Sequence, residues 1–559
     1  MTADPRDAAA TDLADLARAF WDYHLESHPV EAHLLGDYRY AAFWDDATRA
    51  AEDRRIEALR TFADDALAVD HSALDEQERI TQSVLSWTAT ASADRLETRL
   101  AEIGVDPIFG VQVEVPLVVG MLHQPTAEVA ETMPDKLRGA ARGYREQAER
   151  LREGIAAGRA PARFAVADTL EQLDAVLAGP VADDPVLASL PAVPDGVDAE
   201  AWRARVAAVV EGDLRPAMTA YRDALRDDVL PHARPDERCG LGWLDDGDAS
   251  YAAMLRYATT TDRSAREIHE LGLEQVAKLA EEYRALGPEV VGTDDLEQIF
   301  DALRTDPKLH FEHGDALVEA STVALDRAWA AMPEWFEVLP QARCTVESTL
   351  TGAKAFYFPP ATDGSRGGVF FVNTADPASW GTFEVEAMAF HEGIPGHHLQ
   401  LTIASELTGV PEFRKHLHNN AYAEGWGLYT ERLADEMGLY SAAVDRMGMY
   451  SADSMRACRL VVDTGLHALG WSREQAVAYM VENSPLTRAM VQPEIDRYIT
   501  NPGQACGYMV GRVEIERIRR EAEQRQGAGF DVKTFHSAVL DSGSLPLGVL
   551  DEVVRARLP

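Results

Sequence analysis

The sequence predicts a mainly α fold, a large helical body interrupted once by a small β-sheet beside the helix that carries the chemistry. Three observations predict it. Apolar residues recur at three- and four-residue spacing through most of the 559 residues, strand-like patterning is confined to a stretch near 344–374, and the densest run of metal-ligand residues follows that stretch.

From about Thr11 to Ala101 the spacing of Leu13, Leu16, Phe20 and Tyr23 predicts amphipathic helices packed on one another. The segment GVDPIFGVQVEVP (104–116) breaks that period, and helical spacing returns from Met133 to Leu177. The Pro-rich stretch 179–200 predicts a linker or lobe boundary, which divides the chain into an N-terminal helical region, 1–199, and a catalytic region, 200–559, built together as one composite domain. Helices are then expected over Trp202 to about Leu230, Ala249 to Ala285 and Leu296 to Leu303. CTVESTL, AFYFPP and, across the turn-like ATDGSRGG, VFFVNT are rich in β-branched and aromatic residues and predict short strands. Beyond Thr382 helices run nearly to the end, with breaks at 501–504 and 542–548. No internal repeat of fixed period is present.

The formal charge of −40 excludes a basic footprint for nucleic acid or anionic lipid. Cys239, Cys344, Cys458 and Cys506 stand singly, so neither a zinc ribbon nor a disulfide framework is signalled. With no secretory pattern at the start and no apolar run of membrane-spanning length, the expectation is a soluble cytoplasmic protein without a membrane partner. Its oligomeric state is left open.

The chemistry lies in EVEAMAFHEGIPGHHLQ, residues 384–400. In an HExxH helix two histidines four residues apart lie about 40° and 6 Å from each other, close enough to share one zinc while the glutamate acts on a water. Here the step from His391 to His397 is six residues, about 240° around a regular helix, and the step to His398 is seven, about 10.5 Å along it. Neither works on an unbroken helix. Pro395 and Gly396 provide a break that absorbs the extra residues, which favours His397 as the second ligand with His398 as its neighbour or alternative. Glu424 lies 27 residues past His397, among Ala423, Gly425, Trp426 and Gly427, an unusual setting for a solvated acid. It completes a His-His-Glu set suited to catalytic Zn2+. Glu431 shares its helical face, in an exposed, a supporting or a catalytic role.

These residues belong to a larger pattern. HEGIPGHHLQ (391–400), AEGWGLYTE (423–431), DGSRGGVFFVNT (363–374), RLVVDTGLHALGWS (459–472), RYITNPGQACGYMVG (497–511) and FHSAVLDSGSLPL (535–547) together resemble the DUF885 family, grouped with the zincin-like metallopeptidases. The resemblance implies a gluzincin-like helical body with a deep cleft, His391, His397 and Glu424 on zinc, and Glu392 as general base. It implies hydrolysis of peptide or peptide-like amides. It also implies an edge strand, Val369 to Thr374, that pairs with an extended substrate through residues such as Val369, Phe371 and Asn373.

In that mechanism zinc lowers the pKa of a water toward about 7 and Glu392 takes its proton, then returns it to the leaving amine. Tyr508, His467 and Tyr498 are candidate oxyanion donors, Tyr508 first. Each has a structural alternative, a packed tyrosine or a helix histidine pinned by Asp463. Arg459 and Arg497 could grip a substrate carboxylate or pair with structural acids. Trp426 and Trp471 read as core. Two further readings stay open at this level: a hydrolase of a non-peptide small molecule, and a non-catalytic zinc-containing peptide-binding protein.

Overall fold

A computed structural model describes residues 5–360 and 366–559. Most of the predicted turn ATDGSRGG lies outside the described residues. Numbering helices of eight residues or more, α1 (Pro5–Ser27), α2 (Arg49–Ala68) and α3 (Glu76–Glu97) open the chain. They are followed by α4 (Val111–Met121), α5 (Met133–Ala156), α6 (Arg163–Ala178), α7 (Ala199–Val209) and α8 (Arg215–Ala224). Next come α9 (Gly247–Thr259), α10 (Ala265–Val290), α11 (Leu296–Thr305) and α12 (Gly314–Trp335), then β1 (Cys344–Thr349), β2 (Ala355–Phe358) and β3 (Gly368–Asn373). The remainder is α13 (Glu384–Glu392), α14 (His397–Glu406), α15 (Asn420–Glu436), α16 (Ala443–Ala468), α17 (Arg473–Glu482), α18 (Arg488–Thr500), α19 (Gly507–Gln526), α20 (Val532–Leu540) and α21 (Leu547–Arg557).

Local chemistry starts many of these helices. Asp75 with Glu78, Ser264 with Glu267 and Ser472 with Gln475 form reciprocal caps on α3, α10 and α17, satisfying amide groups the first turn leaves free. α4 begins earlier than the sequence pattern suggests and runs through Pro116, because Val115, Val118 and Val119 give it a buried face.

Three large apolar clusters hold the helices together. The first joins Leu137, Trp202 and Met218 of α5, α7 and α8 to Val462 and Ile495 of α16 and α18. The second joins Phe20 and Val84 of α1 and α3 to Phe390, Trp426 and Leu550. The third packs Leu255, Tyr283 and Phe300 against Leu428, Leu460 and Val510. The first two draw on both sides of residue 199, so the helical halves share their cores. The Pro-rich stretch 179–200 does not bridge separate bodies: it forms a short helix, Pro185–Ser189, and buries Val186 and Leu190 in the first cluster. Arg414 ties the ends of the chain, donating to Thr81 (2.9 Å) and to the Ser542 carbonyl (2.7 Å). α16 is buried around most of its circumference, as a central helix must be.

The sheet corrects one expectation. Its order is β1-β3-β2, with β1 parallel to β3 and β2 antiparallel to it. β3 is therefore the central strand, with both edges used, and cannot be the edge on which Val369, Phe371 and Asn373 pair with a substrate. Val369 is buried, Phe371 stacks on Phe356 at 5.0 Å, and Asn373 bonds the Gly352 carbonyl and the Ala375 amide. The unbroken apolar run VFFV is the pattern of a strand covered on both faces, whereas β1 alternates.

Candidate metal centre

α13 ends just past His391, the Ile394–Pro395 peptide is cis, and α14 begins at His397. Gly396 permits this return, since a Cβ there would lie 1.9 Å from the His391 carbonyl oxygen. The two imidazoles face each other with centroids 4.7 Å apart. Glu424 Oε2 lies 3.5 Å from Nε2 of both His391 and His397, and the three donor atoms lie within 4.8 Å of one another. Ligands on a tetrahedral zinc at about 2.0–2.1 Å are about 3.4 Å apart, so the donor set fits such an ion in chemistry and in spacing.

α15 builds most of the surroundings from one face. Asn419 caps it by accepting from the Tyr422 amide. Glu424 is the candidate donor, and one turn on, Gly427 leaves room for the His391 ring, which a Cβ would meet at 2.7 Å. A turn further, Glu431 is 1% exposed and accepts from His391 Nδ1 at 2.8 Å, which turns Nε2 toward Glu424. Glu431 is thus the supporting acid and not an exposed one. Trp426 donates to the Pro395 carbonyl (3.0 Å) and Thr430 to that of Phe390 (3.2 Å), fixing the turn to the helix. Behind this face Gly425 and Gly511 bring the backbones of α15 and α19 into contact.

Electrostatics follow the same partners. Burial works against charge on His391, yet its bonds to Glu424 and Glu431 hold it up at about 9. Burial likewise opposes charge on Glu424, and the two histidines outweigh it, holding the carboxyl well below its usual range.

His398 turns the other way. Its Nε2 donates to the Ala342 carbonyl (2.9 Å) and its Nδ1 accepts from the Tyr357 hydroxyl (2.9 Å), which ties α14 to the sheet and leaves His397 as the second donor. Burial pushes it down to about 4.

The remaining candidates divide. Glu392 is partly exposed and makes no hydrogen bond or ion pair with the described residues. Tyr508 has a hydroxyl with no partner among the described residues and a ring 4.5 Å from the Arg459 guanidinium. Burial raises its pKa, Glu424 adds to that rise, and Arg459, Arg497 and Arg456 oppose it. His467 does not reach the centre: Nδ1 accepts from the Leu241 amide (3.1 Å) and Nε2 donates to the Tyr498 carbonyl (2.9 Å), so it has no proton to offer an oxyanion. Nor does Asp463 pin it, since that carboxyl accepts from Tyr251 and the Gly503 amide. Tyr498 is spent as well, its hydroxyl donating to Glu494 and accepting from Arg459 Nε (2.8 Å). Arg459 and Arg497 both bond Glu494 Oε2, at 2.9 and 3.0 Å.

Two residues near the centre escaped the sequence reading. His418 lines a cavity of about 280 Å³ together with Trp87, Tyr257, Asn420 and Gln504, and its charge environment is set by Glu424 and His397. Arg456 lies one turn before Arg459 in the most buried helix, and that i, i+3 pair of arginines in an apolar run was the available signal.

Among the described residues no helix is long and apolar enough to cross a membrane. No curated protein matches the sequence. Two solved structures share the fold. "The putative lipoprotein from Colwellia psychrerythraea" is 24% identical over 99% of both chains with a TM-score of 0.89. "A putative lipoprotein of unknown function from Shewanella oneidensis" is 17% identical over 97% of this chain and 99% of its own, with a TM-score of 0.74. Residues 29–554 match the family described as "Bacterial protein of unknown function (DUF885)", and the chain belongs to that family.

Proposed function

We propose that the chain is a zinc-dependent hydrolase of peptide-like amides, with His391, His397 and Glu424 holding the metal. The observation that carries this reading is the spacing of the three donors, with a buried carboxylate behind His391 and an unpaired one, Glu392, next to it. A closed structural zinc site has four protein ligands and needs no adjacent base, whereas three donors and a free carboxylate suit catalysis. Zinc there would supply Lewis-acid chemistry, acidifying a water and polarising the scissile carbonyl.

Glu392 takes the proton of the attacking water and delivers it to the amine as the carbon–nitrogen bond breaks. Glu431 keeps His391 in the tautomer that presents Nε2. Tyr508, with its free hydroxyl, is the donor for the oxygen that gains negative charge. The free edges for an extended substrate belong to β1 and β2, and β2 packs against α13.

Metal content of the full chain, purified without chelators or a histidine tag, tests the core of the reading. About one zinc per chain is expected, with little in His391→Ala. No zinc in the wild type after zinc addition and dialysis would end the proposal.

A further inference from the structure

Beside Tyr508 two helices place three arginines in one spot: Arg456 and Arg459 from α16 and Arg497 from α18. Arg459 is 5% and Arg456 7% exposed, and guanidiniums this far from water are normally neutralised. Two other buried arginines of this chain are. Arg512 meets both oxygens of Asp453 at 2.8 Å, and Arg150 meets Glu52 at 2.7 Å.

Here Glu494 is the sole carboxylate, among the described residues, that pairs with any of the three. Its Oε2 accepts from Arg459 Nη2, Arg497 Nη2 and the Tyr498 hydroxyl, while Arg497 spends Nη1 on Gln504 (2.6 Å). Arg459 Nη1 is buried with no partner. Arg456 has no ion pair, donates only weakly to the Ala452 carbonyl (3.3 Å) and Met455 sulfur (4.0 Å), and leaves Nε buried without a partner. Tyr508 links the unspent positive charge to the metal centre. Its ring centroid lies 4.5 Å from Arg459 and 5.9 Å from Arg456, and Glu424 is also among the charges that act on it.

Building on the hydrolase reading, we propose that Arg459 and Arg456 bind the free C-terminal carboxylate of the substrate, which makes the enzyme an exopeptidase acting at the C-terminal end. A planar carboxylate takes two parallel N–H donors and supplies the missing counter-charge. With the carboxylate seated beside Tyr508, an amide near the chain end is the one offered to the metal centre, since an extended chain advances about 3.5 Å per residue. A peptide interior or an amidated end offers no such charge and would leave Arg456 and the Nη1 of Arg459 without an acid.

The test uses the zinc-loaded full chain and two probes, 2-benzyl-3-mercaptopropanoate and its primary amide, which share a zinc-binding thiol and differ only in the carboxylate. The carboxylate is expected to bind about 10- to 100-fold more tightly by calorimetry, the range of a charge-assisted hydrogen bond. Arg459→Gln and Arg456→Gln should each bring that ratio toward one with zinc content unchanged. Arg456, which holds no ion pair, supplies the informative variant if Arg459→Gln does not fold. Equal affinity for the two probes, failure of both to bind zinc-loaded wild type, or a ratio unchanged in Arg456→Gln would overturn the carboxylate site. Zinc content separately reads the metal centre, so loss of the hydrolase reading is distinguishable from loss of the specificity.

Discussion

His397 and His398 are adjacent in sequence and belong to opposite regions of the molecule. At the centre, His391 and His397 point toward carboxylates, and those partners push the His391 pKa up to about 9 against its burial. In the surrounding framework, His398, His467 and His536 spend both ring nitrogens on carbonyl, amide or hydroxyl groups, and burial keeps them neutral, at about 4, 4 and 3. His536 spans the Trp335 carbonyl and the Tyr429 hydroxyl, each at 2.9 Å. Burial alone thus does not mark a ligand. The chemistry of the partner does, since a neutral strut and a cation-binding donor differ in whether a carboxylate faces the ring.

The sharpest way to sharpen that contrast is to separate base from ligand at the centre. Glu392→Gln should keep its zinc and lose about 10²- to 10⁴-fold in turnover, while Glu424→Ala should lose the metal itself. Full turnover in both variants would sink the assignment. Next in size, Glu431→Gln should weaken zinc about 10- to 100-fold in a chelator competition, because His391 loses the partner that orients it. An unchanged affinity would mean that the carboxylate behind the ring does not distinguish the two regions.

A framework histidine should show the reverse profile. His467→Ala leaves the Leu241 amide and the Tyr498 carbonyl without their partner, so chemical denaturation should report a loss of about 2 kcal/mol while zinc content stays the same. Zinc loss without a stability change would put His467 in the wrong region. The gentlest effect is a pH slope. The framework rings take a proton near 6.5 when unfolded and near 4 or below when folded, so their contribution is complete above about pH 6.5 and is lost as pH falls through about 4. His536→Gln should flatten the fall in denaturation midpoint over that range, and parallel slopes in wild type and variant would contradict it.

The same contrast explains what the sequence could reveal. The meeting of His391, His397 and Glu424 was legible because two short segments carry it: the histidines around Pro395 and Gly396, and a helix face repeating from Glu424 through Gly427 to Glu431. The helical body was legible from apolar spacing. His467 was not, because its amide partner lies 226 residues away and nothing near it in sequence signals a neutral strut. The place of β3 was missed although its VFFV run carried the signal, because strand order depends on which strand lies on either side and not on the strand itself. Arg456 was hidden among many arginines until its lack of an acid became visible.

The shared apolar clusters set a limit on how far the chain can be shortened. Phe390, immediately before His391, packs in the same cluster as Phe20 and Val84 of the opening helices. A stand-alone fragment from residue 200 onward would therefore expose the apolar faces that the opening helices cover in this cluster, at about 1.5–3 kcal/mol for each large side chain uncovered. A protease cut that released α1 to α3 would accordingly loosen the same core that holds Phe390 and Trp426, so the opening helices are part of the packing around the centre and not an appendage to it.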